Sequence, residues 1–397
     1  MSLTTDLSDR LQRAIDRQRL VDTAVQLIAV PSRTGEAGAV SDRLADILTA
    51  DGFRVERPTG GHPTAPAVVV RFASGKPGRT LEFNGHLDTV HLPFVPPQVQ
   101  DGRITGSGSS DMKAGVAAAV EALRALRDTG ALPGGSILLV AHDLHEAPWG
   151  DGRQLNQLIA DGYVGDAVLI PEYLNECLAV IGRGALTWKA TVRRPGPPVH
   201  EVMRPAEPSV IAAGADLVGR LNRLHERLSV KADPLAGTES LFIGQIHSGA
   251  IYNQYPQECL VEGTRRWLPG TRREDVEAEL RGLFDGLARD TGTTVRAEIT
   301  PIRDAFLLPQ DDPFVAAFQQ AYAATSGGQP LKTGAKPFCD DGNSFWALAR
   351  VPAVTHGPRA GGAHTLEEWV SIDDLVRVAH LYALTAVAYC GAAGGGP

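Results

Sequence analysis

The chain has 397 residues, a formal net charge of -8, 43% hydrophobic and 21% charged residues. This is the composition of a globular protein long enough for two domains, and its acidic balance argues against a chain-wide basic surface for nucleic acid. No apolar run approaches the roughly 20 residues that span a bilayer, so no membrane partner is expected. The charged N-terminal stretch (Asp6, Asp9, Arg10, Arg13, Asp16) lacks the apolar core of an export signal. Cys177, Cys259, Cys339 and Cys390 are scattered and form no Cys-x-x-Cys pair. They read as free thiols, so a reducing, cytoplasmic location is expected.

Taken in order, residues 7–30 read as one amphipathic helix stopped by Pro31, and residues 39–50 as a second. Residues 68–72 and 81–84 are short apolar strands on either side of turn residues 74–78. A Gly/Ser-rich loop leads into a helix over 111–127, followed by apolar strands at 137–141 and 167–170. Helices alternating with apolar strands predict an α/β fold with a mainly parallel sheet and helices on both faces.

The rhythm then changes. Residues 178–192 read as paired strands around Gly182-Arg183-Gly184. Helices at 207–224 and 272–287 alternate with strands at 241–246, 259–267 and 294–299. This predicts a smaller α+β, sandwich-type domain. The α/β pattern resumes with a helix at 313–324, a strand at 354–355 and a helix at 372–388. The expected organisation is therefore an α/β catalytic domain in two parts, 1–180 and 301–397, interrupted by an inserted domain over 181–300.

Chemistry-bearing residues gather where apolar strands run out. His86 and Asp88 follow residues 81–84 at a spacing that puts both on one side of an extended chain. Open parallel sheets bind ligands at such strand ends. The pair reads either as a polar strand end in solvent or as a metal-ligating imidazole with a carboxylate to orient it. Asp111 ends Gly106-Ser107-Gly108-Ser109-Ser110-Asp111 and is either a helix N-cap or a carboxylate able to bridge two cations. His142-Asp143-Leu144-His145-Glu146 follows the strand at 137–141, and Pro171-Glu172 the strand at 167–170. His364 sits in the Gly361-Gly362-Ala363-His364-Thr365 loop. His86, Asp111, Glu146, Glu172 and His364 together supply one bridging carboxylate plus one histidine and one carboxylate for each of two metals. Such a donor set suits zinc, cobalt or manganese.

On these segments, with Trp267-Leu268-Pro269-Gly270, the chain resembles the co-catalytic di-zinc aminoacylase/carboxypeptidase family along nearly its whole length. The resemblance implies that His86 and Glu172 bind one metal, Glu146 and His364 the other, and Asp111 both, with a cis peptide between Asp111 and Met112. Asp88 would orient His86. The inserted domain would be a lid that also makes a homodimer, with His200 stabilising the oxyanion in the partner's site and Asn253 and Arg266 contacting a substrate carboxylate. The implied activity is hydrolysis of an amide bond in a small N-acyl amino acid or short peptide by a hydroxide bridging the metals. Two alternatives remain at this point: a member that binds metal and a carboxylated ligand without peptidase activity, and a hydrolase of a non-peptide C–N bond.

The chain departs from the family at the general base. Two consecutive acidic residues are usual where it has His145-Glu146. The imidazole of His145 could carry the proton instead, since its reference pKa of about 6.5 suits the task, or could itself be a ligand. Losing the carboxylate's negative charge beside two cations predicts weaker metal retention or a shifted pH optimum. Arg183, Asn343 and Glu201-Val202-Met203 also replace the usual lysine, arginine and small residues, which bears on substrate choice.

Overall fold

A computed structural model describes residues 4–147 and 150–391. The chain divides into two compact units: residues up to Val180 with Leu308–Gly334 and Asp340 onward, and Ile181–Leu307 with Ala335–Cys339.

The first unit is built on a six-stranded sheet in the spatial order Val55–Glu56, Val68–Ala73, Ser136–His142, Thr80–His86, Ala167–Ile170, Ala353–Thr355. The strands Ser136–His142, Thr80–His86, Ala167–Ile170 and Ala353–Thr355 run parallel. Val68–Ala73 and Val55–Glu56 are antiparallel additions at one edge. The central strand, Thr80–His86, is flanked on both sides and buried from Leu81 onward, its polar residues Glu82, Asn84 and His86 included. The helix Lys113–Thr129 packs on this strand, and the C-terminal helix Ile372–Cys390, buried over most of its length, packs on Lys113–Thr129 and on Pro313–Thr325.

Two sequence readings are corrected here. Residues 7–30 form two helices, Thr5–Ala14 and Arg17–Ile28. The break is held by Asp16, whose side chain accepts from Arg19 N at 3.0 Å while its own N–H donates to Glu121 Oε1 at 2.8 Å. The cap that ends the apparent continuity thus depends on a residue far along the chain. Residues 178–192 do not form a hairpin. Leu178–Gly182 pairs with Phe306–Leu307, and Gly184–Arg193 enters another sheet. One intervening residue, Arg183, cannot reverse a chain as a two-residue hairpin loop does.

The second unit is α+β. Its antiparallel sheet has the order Ser240–Ser248, Glu258–Trp267, Gly184–Arg193, Thr294–Arg303. The helices Val210–Leu228 and Arg273–Thr291 contribute Leu217, Leu221, Leu280 and Phe284 to a core with Trp188 and Trp267 of the sheet. Ser240–Ser248 is an edge strand, and Phe242 and Ile246 on it are 64% and 49% exposed. No helix among the described residues is long and apolar enough to cross a membrane.

Beneath the strand ends of the first unit lies a buried carboxyl, Glu82. It accepts from Asn84 Nδ2 and from Gly165 N, both at 2.9 Å. Burial outweighs these hydrogen bonds and pushes it up to about 8. An acid whose folded pKa is raised contributes stability that is complete below its unfolded pKa and is lost as pH rises through the folded value. Unfolding followed from pH 5 to pH 8 should therefore show roughly 2–4 kcal/mol of stability lost at this group. Glu82→Gln should be about 1 kcal/mol less stable than the parent at pH 5, because the amide matches one donor fewer, and more stable at pH 8. Parallel Tm profiles for the two proteins would exclude this account.

Candidate metal centre

Three adjacent parallel strands deliver the site. His86 is the last residue of Thr80–His86, opposite His142 in the neighbouring strand. Glu146 lies four residues past Ser136–His142, after a turn in which Leu144 takes the left-handed conformation (φ 68°). Glu172 follows Ala167–Ile170 by two residues. The Glu172 loop is pressed on the helix Lys113–Thr129 at Gly115, where a Cβ would stand 1.9 Å from the Pro171 carbonyl oxygen. Only glycine permits that approach.

Asp111 is not the helix cap that its position suggests. The N-cap of Lys113–Thr129 is Met112, without a side-chain cap bond. The Asp111 carboxylate faces two histidines instead. His86 Nε2 lies 3.1 Å from Oδ1, and His364 Nε2 lies 3.3 Å from Oδ2. The Asp111–Met112 peptide is cis, as the resemblance implied. The backbone N–H groups of Ser110 and Asp111 both donate to Glu368 Oε2, at 3.1 and 3.2 Å, which fixes the loop from behind. His364, itself left-handed at φ 62°, also lies 3.1 Å from Glu146 Oε2. It comes from a loop closed by the pairing of Ala360–Gly361 with Trp369–Ser371.

His86, Asp111 and Glu146 each offer a ligand atom within 4.8 Å of the others, and all three are buried. Glu172 is also buried, and its Oε2 has no hydrogen-bond partner among the described residues. Burial pushes the Glu172 carboxyl well above its ordinary range and the Asp111 charge pushes it further. Burial and then Asp111 likewise raise Glu146. On the imidazole side, Asp111 and then Glu146 carry His364 up to about 10. Burial works against a charged His86, but Asp111 and Asp88 more than offset it and hold it well above the usual histidine value. Three buried carboxylates, Asp111, Asp88 and Glu146, therefore draw positive charge onto two imidazoles. Divalent cations satisfy the same demand while leaving the imidazoles neutral, so the donors fit metal.

The role expected for Asp88 is refined. His86 Nδ1 donates to the backbone carbonyl of Asp88 at 3.1 Å, and the Asp88 carboxylate is farther, at 3.5 Å. A carbonyl can only accept, so Nδ1 carries the proton and Nε2 is the nitrogen available to a metal. The carboxylate is engaged elsewhere: its Oδ2 accepts the backbone N–H groups of His145 and Glu146, at 3.1 and 2.9 Å.

His145 stacks on His86 with ring centroids 4.0 Å apart and planes within 5°. Its Nδ1 lies 3.0 Å from Asp341 Oδ1, and the other Asp341 oxygen lies 3.2 Å from His142 Nε2. Burial alone would lower the His145 imidazole, but the Asp341 charge carries it up to about 9 while no cation is beside it; divalent cations at the neighbouring donors would oppose that rise and favour the neutral ring. Sequence reasoning missed Asp341 as a member of the site; of Asp340-Asp341-Gly342-Asn343 it singled out only Asn343, as a departure affecting specificity. These residues open the helix Asp341–Ala349, in which Asp340 and Asn343 form a capping box. Asn343 is buried with Oδ1 accepting the Asp340 N–H at 3.2 Å, a cap in place of the expected arginine. The pattern Asp-x-x-Asn was the cue available for this helix start.

The residues expected to act from a lid lie in the second unit. His200 is exposed and Asn253 half-buried, with His200 Nε2 3.0 Å from Asn253 Nδ2. Arg266 lies on the strand Glu258–Trp267, its Nη1 3.8 Å from Cys339 Sγ.

Residues 83–388 match the family described as Peptidase family M20/M25/M40. The chain belongs to this family, whose members are hydrolases acting on C–N bonds. Among curated relatives, succinyl-diaminopimelate desuccinylase from Methylobacterium sp. (strain 4-46) is 29% identical over 91% of this chain and 94% of its own. The same enzyme from Paracidovorax citrulli (strain AAC00-1) is 29% identical over 92% and 97%. Among solved structures, aminopeptidase PepT from Bacillus cereus superposes with a TM-score of 0.77 at 20% identity, covering 94% of this chain and 99% of that one. A dinuclear metal-binding peptidase of the M20 family from Bacillus subtilis has a TM-score of 0.68 at 14% identity, covering 94% and 97%. The expected family and α/β fold are thereby borne out.

Proposed function

We propose that this chain hydrolyses the amide bond of a small N-acyl amino acid or short peptide, using two divalent metal ions, with zinc the first choice and cobalt or manganese the others. The observation that carries this reading is the Asp111 carboxylate, whose two oxygens face two different histidines. A carboxylate so placed can serve two cations at once, with His86 and Glu172 completing one site and Glu146 and His364 the other. When bound, the metals supply Lewis acidity to the scissile carbonyl and to the attacking water.

The protein's own groups supply the rest. His145 takes the proton from the water and delivers it to the departing amine. Asp88 holds the main chain of His145 and Glu146 in place through its two backbone hydrogen bonds. In the second unit, His200 stabilises the oxyanion, while Arg266 and Asn253 bind the substrate carboxylate. The exposed apolar edge strand Ser240–Ser248 supports a homodimer formed through this unit. The free cysteines are consistent with a cytoplasmic enzyme.

The names of the desuccinylase relatives make N-succinyl amino acids the first substrates to try. The test is metal content by elemental analysis, then amine release from a panel of acyl amino acids and dipeptides after loading with zinc, cobalt or manganese. Full loading with no amine released from any compound would exclude the reading. Light scattering should give the mass of a dimer.

A further inference from the structure

The strand-end cluster contains a buried string of side chains that metal binding does not use. Asn84 Oδ1 lies 3.3 Å from His142 Nε2, which lies 3.2 Å from Asp341 Oδ2, and Asp341 Oδ1 lies 3.0 Å from His145 Nδ1. Asn84, His142 and Asp341 are fully buried. They come from three separate elements: the strand Thr80–His86, the strand Ser136–His142 and the first turn of the helix Asp341–Ala349. His145 is confined on a second side by the ring of His86.

We infer that Asp341 is the positioning residue of His145, fixing its ring and its tautomer so that Nδ1 carries a proton and Nε2 is the nitrogen presented to the reacting atoms. This rests on the reading of His145 as the proton carrier. An ionised carboxylate can only accept, so the nitrogen facing it keeps its proton. A neutral imidazole so held has its lone pair at Nε2, and the His86 stack prevents the ring from turning over. A histidine and an aspartate from distant parts of the chain thus take the place of a single acidic side chain. His142 is the outer support: its Nε2 lies 3.2 Å from Asp341 Oδ2, and its Nδ1 lies 3.1 Å from the Asp143 carbonyl oxygen.

The decisive measurement is a double-mutant cycle on the zinc-loaded enzyme. Asp341→Asn should lower kcat by about 10- to 100-fold with KM and zinc content nearly unchanged. In a His145→Glu background the same substitution should change kcat by less than about 3-fold, because a carboxylate at 145 needs no tautomer fixed. An equal loss in both backgrounds would mean that Asp341 serves only the fold, and would overturn the inference. His145→Ala with parental turnover would instead overturn the proton-carrier reading beneath it. Should Asp341→Asn fail to fold, nitrogen-15 NMR of the histidine-labelled zinc form of the parent decides. A proton on Nδ1 of His145 is expected, and a proton on Nε2 with Nδ1 bare would overturn the assignment.

Discussion

Asp111→Asn should cost the enzyme its metal and its activity together. The carboxylate offers one oxygen toward His86 and the other toward His364. Asparagine keeps the shape but offers one neutral oxygen, and its amide would point donors at a cation. Metal content by elemental analysis should fall to one equivalent or none. Since the Lewis acidity of the metals contributes several kcal/mol to lowering the barrier, kcat/KM should drop by roughly 10³- to 10⁴-fold. A variant that keeps both metals and parental turnover would remove Asp111 from its bridging position.

The second large effect concerns His145. His145→Ala, with metal content unchanged, should lower kcat by about 10²- to 10⁴-fold and leave KM nearly as it was, the pattern of an interaction made in the transition state. His145→Glu should recover much of that loss, and should also retain metal more tightly during dialysis against a chelator, because a negative charge returns beside the cations. If the alanine variant loses its metal instead of its kcat, His145 is a ligand rather than a base.

The sequence made the candidate donors legible because strand ends are local. His86, Glu146 and Glu172 each follow a short apolar run by a few residues, so the run predicts both the strand and where its end presents a side chain. Asp111 was harder, because an Asp at the start of a helix has an ordinary explanation, and only the fold shows its carboxylate turned away from the helix. Asp341 could not be read at all as a partner of His145. Their proximity depends on how the helix Asp341–Ala349 docks beside the strands, and no spacing in the chain encodes a contact between residues so far apart. The single helix expected over residues 7–30 failed for a related reason. Its break is stabilised by Glu121, and periodicity has no access to a cap supplied through tertiary structure.

The grip of the Asp88 carboxylate on the backbone N–H groups of His145 and Glu146 has an evolutionary reading. Main-chain amides are the same whatever side chain they carry, so the turn is held without reference to what stands at position 145. The neighbouring ligand keeps its aim while the proton-handling residue is exchanged. An exchange between glutamate and histidine at position 145 thereby leaves the turn that carries Glu146 held by Asp88.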